Sequence, residues 1–271
     1  MKLFVPLMAQ SRHIARAAAN RCFGGGRRLI TSAFAIMSVL AALAVPAAPA
    51  EPDHAVERAA MIRTIVDHAA HVRSAIGRDR IAPAVLEAMG IVRRHEFVPD
   101  GVRREAYADR PLPIGYGQTI SQPFIVALMT DLLQVGANDV VLEIGTGSGY
   151  QAAVLARLAR EVRTIEIVPA LADAAAQRLA RLGYVNVTTR QGDGYYGWQE
   201  AAPFDGIIVT AAANQIPPPL IAQLKPGRRM VIPVGAPFAL QHLVLIEVDG
   251  ERKVTTRQLL PVQFVPLTGR N

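Results

Sequence analysis

A single cysteine, Cys22, serves all 271 residues, and it falls within the first fifty positions. The rest of the chain can therefore build no internal disulfide, no thiolate metal site and no cysteine nucleophile. This absence leaves the compartment open, because a thiol-free domain is tolerated in oxidising and reducing surroundings alike. Beyond residue 50 the histidines are His54, His68, His71, His95 and His242, and they form no His-Glu-x-x-His or similar ligand set, so no metal is expected. The Gly-x-Ser-x-Gly elbow of a serine hydrolase is missing. Aromatic residues make up only 6% of the chain, and Tyr195, Tyr196 and Trp198 read as cover for a core edge, not as a stacking platform.

Acid is missing from residues 1–50, which hold Lys2, Arg12, Arg16, Arg21, Arg27 and Arg28. Of the formal charge of +7, these six account for all but one: 23 basic residues face 22 acidic ones from position 51 onward. A near-neutral body lacks the electrostatic footprint of a nucleic-acid binder, and none is expected as a partner. The leader has its own pattern. Arg27-Arg28 precede an apolar stretch from Leu29 to Val45, then Pro46-Ala47-Ala48-Pro49-Ala50. That reads as an export signal with cleavage after Ala50, and the arginine pair suggests the twin-arginine type. Two other readings stay open: a membrane anchor, shortened by Ser32, Ser38 and the closing prolines, or an upstream extension with Met37 or Met61 as the true start. Under each of them residues 1–50 stand outside the fold and 51–271 form a single domain.

Weak helical spacing runs over 55–76, with Val56, Ala60, Ile65, Ala69 and Val72 apolar, and a clearer helix over Pro83–Val92. The prolines and glycines of 99–117 predict an irregular connection, and Gln122–Leu133 a helix entered through Pro123. From Val140 the pattern turns to alternation: strands at Val140–Ile144, Val162–Ile167, Val185–Arg190, Gly206–Val209 and Met230–Val234, with helices at Gln151–Leu158, Pro169–Leu182 and Pro218–Leu224. Such alternation predicts an α/β fold, a doubly wound, mostly parallel sheet with helices on both faces. Leu243–Val248 and Val254–Leu260, joined at Asp249-Gly250, predict a C-terminal β-hairpin.

The sharpest local signal is Glu143-Ile144-Gly145-Thr146-Gly147-Ser148-Gly149-Tyr150, placed where a strand ends and a helix begins. Open α/β sheets bind ligands at that edge, and glycines let a ligand approach the backbone. The spacing is G-x-G-x-G, not the dinucleotide G-x-G-x-x-G, and no Gly-Lys-Ser/Thr follows to make a P-loop. Glu166 ends the next strand, 21 residues beyond Gly145, where an acid can accept both ribose hydroxyls of a nucleoside; otherwise it is a solvated strand-end acid. Asp193, between Gly192 and Gly194, ends the following strand and can accept from an adenine amino group, or serve as a turn residue. Together the three strand tips describe one adenosine-shaped groove. Ahead of them, Pro113 to Pro123 gathers hydroxyls and amides before a helix start, a setting that suits a carboxylate. Within it Ser121 is expected to cap that helix.

These residues resemble the protein-L-isoaspartate O-methyltransferases. The likeness is carried by Gly117-Gln118-Thr119-Ile120-Ser121-Gln122-Pro123, Val141 to Gln151, Gly192-Asp193-Gly194-Tyr195, Pro203 to Ala212, and Phe264-Val265-Pro266-Leu267-Thr268, and it extends from about Met61 to the end. It implies a Rossmann-like fold that takes S-adenosyl-L-methionine as methyl donor, with no metal. Contacts to the donor are implied at Glu143, Gly145, Thr146, Gly147, Ser148, Gly149, Glu166, Asp193 and Gly194. Thr268 would fold back over the site, and Thr119 and Ser121 would lie beside the transferred methyl. The family places its active-site residue at the position of Ser121, which favours that role over capping. Also implied are isoaspartyl proteins and peptides as substrates, methylated on the free α-carboxylate and repaired through a succinimide, by a monomer in the cytosol. Transfer to another acceptor, or nucleoside binding without turnover, are the competing readings. The chain departs from the family twice: Arg228 stands where a second glycine usually follows Pro226-Gly227, and His68–Arg80 resembles an insertion.

Overall fold

In the computed structural model, residues 54–77, 80–236 and 239–269 are described. The leader, with the cleavage expected after Ala50, lies outside the described residues. Helix α1 (Ala55–His71) buries Met61, Ile65 and Ala69, one residue per turn on one stripe, while Val56 at its start is exposed. A single further turn, α2 (Arg73–Ile76), leads toward α3 (Pro83–Ile91), whose Pro83 occupies the first turn, where no N–H is needed.

The expected irregular connection over 99–117 is partly ordered. Residues Asp100–Glu105 form a 3-10 turn, and strands β1 (Leu112–Gly115) and β2 (Gln118–Ile120) pair antiparallel. Three residues of positive φ, Gly115, Tyr116 and Gly117, reverse the chain between them. The prolines read as breakers sit where no ladder bond depends on them; Pro113, opposite Thr119, belongs to a two-stranded edge.

From α4 (Pro123–Leu133) onward the expected alternation is present. Strands β3 (Val140–Ile144), β4 (Glu161–Glu166), β5 (Val187–Gln191), β6 (Phe204–Val209) and β7 (Leu224–Val234) are parallel, while β8 (Gln241–Val248) and β9 (Val254–Val262) complete the sheet antiparallel. Their order is β5-β4-β3-β6-β7-β8-β9. Connections are made by α5 (Tyr150–Ala156), α6 (Pro169–Arg181) and α7 (Pro218–Ala222). Side chains alternate between two apolar cores: Val141 and Val231 join one, Leu142, Ile144, Met230 and Ile232 the other. Burial on both faces is why these strands read as continuous apolar runs.

Arg228 finds its use at the amino edge of the sheet. Its Nη2 lies 2.8 Å from Asp139 Oδ1 and 3.0 Å from Asp205 Oδ1, and Nη1 donates to Asp139 Oδ2 at 3.2 Å. Lys225 reaches Asp205 as well, at 2.8 Å. Burial alone would raise the Asp205 carboxyl, but Lys225, the Val140 amide and Arg228 hold it below its ordinary value. The arginine thus ties β7 to the starts of β3 and β6.

Candidate active site

The strand order reverses at β3, which has β4 on one side and β6 on the other. The crevice outside the carboxyl ends at such a switch point is where an open sheet has room for a ligand. The Gly145–Gly149 loop spans it. The Gly145 and Thr146 amides both donate to Ile165 O, at 2.8 and 3.2 Å, which fastens the loop to β4. On the other side the Thr210 amide donates to Ile144 O at 2.9 Å, and its hydroxyl lies 3.0 Å from Ile144 O and 2.6 Å from Gly145 O. Gly145 has φ 95°, and a Cβ there would stand 2.5 Å from the Thr210 hydroxyl, so both backbone and space demand glycine.

Glu166 sits at the tip of β4 with both oxygens in use: Oε2 accepts from the Gly147 amide at 2.8 Å and Oε1 from the Val168 amide at 3.0 Å. An ionised carboxylate has about four lone-pair sites, so two remain for ligand hydroxyls. The loop is held by the acid that would read the ligand.

A narrow cleft opens over these residues. Its walls include Thr119, Ser121, Gly145, Thr146, Gly147, Ser148, Glu166, Gly194 and Thr268. Three other residues with implied donor contacts are not part of this wall. Gly149 starts α5 with φ 89° and packs on Leu179. Asp193 accepts from the Tyr195 amide at 3.0 Å, capping a short turn, and Gly269 packs so tightly on its carboxylate that a Cβ there would collide. Glu143 is fully buried beneath the loop. Thr164 Oγ1 donates to Glu143 Oε2 at 2.5 Å and is itself 2.6 Å from Thr146 Oγ1, so two hydroxyls link this carboxyl to the cleft wall. Burial pushes Glu143 up to about 8; Thr164 and the Ala152 amide oppose the shift, Glu166 adds to it, and Oε1 has no partner at hydrogen-bonding geometry.

Ser121 does not cap α4. The N-cap is Gln122, without a side-chain cap of its own. The bond comes instead from Asp109, far back in sequence, whose Oδ1 accepts from the Phe124 amide at 3.0 Å. A local cap by Ser121 would need the helix to start one residue earlier, and Pro123 at its first turn sets the boundary. With that task taken over, the half-buried Ser121 side chain faces the cleft. Its carbonyl is held from below by buried Arg94: Nη2 donates to Ser121 O at 2.7 Å and Nε to Ala106 O at 2.7 Å, with the guanidinium 4.8 Å from the Tyr150 ring centre.

A second, larger cleft, of about 930 Å³, adjoins the first. Gln118, Thr119, Ser121, Thr210, Val265 and Pro266 belong to the walls of both. The tail completes that partition. Ala212 N donates to Val265 O at 2.8 Å and Leu267 N to Ala212 O at 2.7 Å. Gln241 reads Phe264 as a backbone, accepting from its amide at 2.6 Å and donating to its carbonyl at 3.1 Å. Sequence reasoning missed Thr210, Gln241 and Asp109 as builders of the site. Thr210 was within reach of the rule that found Glu166, being the first residue past β6. The other two act only through partners distant in sequence.

Tyr195 and Tyr196 lie beside the cleft's Gly194, and Trp198 packs on one core with Arg163 and Arg190 5.4 and 5.2 Å from its ring centre. Among the described residues there is no group of three or more His, Cys, Asp or Glu placed to hold a metal, and no helix is long and apolar enough to cross a membrane.

Comparison with known proteins gives a consistent result. The profile of the family described as protein-L-isoaspartate(D-aspartate) O-methyltransferase matches residues 72–271. Protein-L-isoaspartate O-methyltransferase 2 of Syntrophobacter fumaroxidans is 58% identical over 243 residues, covering 89% of this chain and 98% of its own. Protein-L-isoaspartate O-methyltransferase 1 of Cupriavidus necator is 58% identical over 238 residues, 87% of this chain and 92% of its own. Among solved structures, a protein-L-isoaspartate O-methyltransferase superposes with a TM-score of 0.69 at 27% identity, over 78% of this chain and 66% of its own. A Plasmodium falciparum structure described as a complex with S-adenosyl-L-homocysteine shares the fold, with a TM-score of 0.64 at 22% identity over 80% and 99% of the two chains.

Proposed function

Because the chain belongs to the protein-L-isoaspartate(D-aspartate) O-methyltransferase family, we propose that it transfers the methyl group of S-adenosyl-L-methionine to the free α-carboxylate of L-isoaspartyl residues in proteins and peptides. One observation carries this reading: Thr119 and Ser121 stand in the wall common to two adjoining clefts. The smaller, over the glycine loop and Glu166, has the cradle and the acceptor that a nucleoside needs. The larger has the volume for a peptide.

Bound in the smaller cleft, the donor supplies an electrophilic methyl. The residues around it then have to position and desolvate. A terminal-type carboxylate is already ionised at neutral pH, so no general base is called for. Ser121 and Thr119 orient the acceptor carboxylate by hydrogen bonding, in the position from which its oxygen forms the new C–O bond as the C–S bond breaks. Glu166 takes the ribose hydroxyls on its two remaining lone pairs, and Gly145 and Gly147 admit the ligand to the backbone. Asp193 and Gly194 bound the nucleobase end, and the Val265–Thr268 tail excludes water. Glu143 and Gly149 serve from behind, by holding the loop. The resulting ester closes to a succinimide, which reopens in part to normal aspartate.

We assign this activity to residues 51–271 as one domain, acting as a monomer in the cytosol where the donor is made. Mature protein that begins at Glu51 would overturn the compartment. Methyl-labelled donor offered with an isoaspartyl peptide and with its aspartyl twin tests the function. Label in the first peptide alone supports it, whereas donor binding without label in either points to another acceptor.

A further inference from the structure

Asp109 joins three walls of the larger cleft. Its Oδ2 lies 2.8 Å from His68 Nδ1 and accepts from Gln122 Nε2 at 3.0 Å, while Oδ1 accepts from the Phe124 amide at 3.0 Å. All three partners line the cleft, and Asp109 itself does not. An ionised carboxylate only accepts, so His68 Nδ1 must carry the hydrogen. That selects one tautomer: the neutral imidazole keeps its lone pair on Nε2, the nitrogen that Asp109 leaves unengaged. The ring is also held in place, 4.7 Å from the Phe124 ring centre, and its side chain is 43% exposed where Asp109's is 12%.

A peptide entering this cleft must satisfy its main-chain N–H groups as well as its carbonyls when it leaves water. Donors for carbonyls and carboxylates are present in Thr119, Ser121, Gln118 and Gln122. Acceptors for N–H are needed as well, and beside the amide and hydroxyl oxygens of this wall His68 offers the cleft's one imidazole, at an edge otherwise built of apolar Val72, Pro111 and Phe124. We propose that His68, held by Asp109, is a substrate-recognition residue whose Nε2 accepts a main-chain N–H of the acceptor peptide. This contact rests on the function proposed above. It lets the enzyme register the peptide so that the carboxylate, and not a neighbouring group, reaches Ser121. His68 stands on α1, four residues ahead of the stretch that the family profile matches.

Kinetics of the full chain with an isoaspartyl peptide test the proposal. In His68→Asn the amide can still donate to Asp109 but nothing replaces Nε2. The expected result is a KM for peptide raised roughly three- to tenfold, the loss of one neutral hydrogen bond, with kcat and the KM for donor unchanged. His68→Gln, whose amide extends to the Nε2 position, recovers part of the loss. A set of peptides N-methylated one position at a time supplies the second arm. One position should raise the wild-type KM by the same factor and leave His68→Asn indifferent. A wild-type KM in His68→Asn, or N-methyl effects equal in both proteins, overturns the contact while leaving the function standing. Wild-type protein that methylates no isoaspartyl peptide overturns the function, and the contact with it.

Discussion

Replacing Glu143 by Gln should remove a pH dependence that the folded structure imposes on its own stability. The wild-type carboxyl, pushed up to about 8 by burial under the cofactor loop, stays protonated in the fold across a range where the unfolded chain, with a carboxyl near 4.5, ionises. Unfolding there releases a proton. Stability contributed by this group is therefore flat below about pH 4.5, falls by ~1.4 kcal/mol per pH unit between about 4.5 and 8, and is flat again above. Across the interval the loss sums to as much as about 5 kcal/mol. Glu143→Gln is neutral at every pH and has no such slope. It carries an offset of its own, since Thr164 still donates to the remaining oxygen while the new NH2 lies where Oε1 had no partner; burying that amide costs about 1–3 kcal/mol, independent of pH. Urea unfolding of both proteins at half-unit steps from pH 5 to 8.5 gives the difference curve, in which every other titrating group cancels. The variant should start close to or below wild type at pH 5 and rise above it by pH 8. Parallel curves would refute the reasoning, because they would mean that Glu143 is ionised in the fold, with water or a cation beside Oε1.

Ser121→Ala removes an orienting hydroxyl, not a proton carrier, so kcat/KM for isoaspartyl peptide should fall roughly 10- to 150-fold, about one hydrogen bond to a charged group. Donor affinity by calorimetry should hold, and inactivity as complete as in a variant that binds no donor would contradict it. Glu166→Ala leaves the Gly147 and Val168 amides without their acceptor and takes away the ribose contact; donor Kd should rise by a factor of at least about 30, at two charge-assisted bonds. Arg228→Gly should cost about 1–3 kcal/mol in urea unfolding, because Asp139 and Asp205 lose a shared, half-buried partner; kcat should not change, since the pair lies at the opposite end of the sheet from the cleft. Truncation after Phe264 takes away the strap bonded to Ala212 and should raise the donor KM at least about tenfold, more than it lowers the melting temperature of the donor-free protein.

The parts of this fold that were legible in the sequence share one cause: their signals are local. Val140–Ile144 is a strand because five residues in a row can be buried on both faces, and Pro169–Arg181 a helix because proline opens it, a leucine and alanine stripe is buried, and glycine follows. The register of the site was legible for the same reason, since a strand tip followed by glycines fixes where backbone meets ligand. The hairpin at Leu112–Ile120 was hidden under prolines that normally break strands. Ser121 shows the limit most plainly. Its sequence context is that of a helix cap, and only the arrival of Asp109 from residues away on another segment frees its hydroxyl for the cleft.

By itself, then, the order of residues determined the α/β alternation, the loop from Gly145 to Gly149, the acid at Glu166 and the family likeness, because each depends on neighbours within about one turn or one strand. Tertiary structure alone decided that Glu143 lies behind the cleft wall and holds its proton, that the tail from Val265 closes on Ala212, and that His68, Gln122 and Phe124 converge on one carboxylate. Those outcomes depend on burial and on hydrogen bonds between segments that the chain brings together only when the two cores close around the sheet.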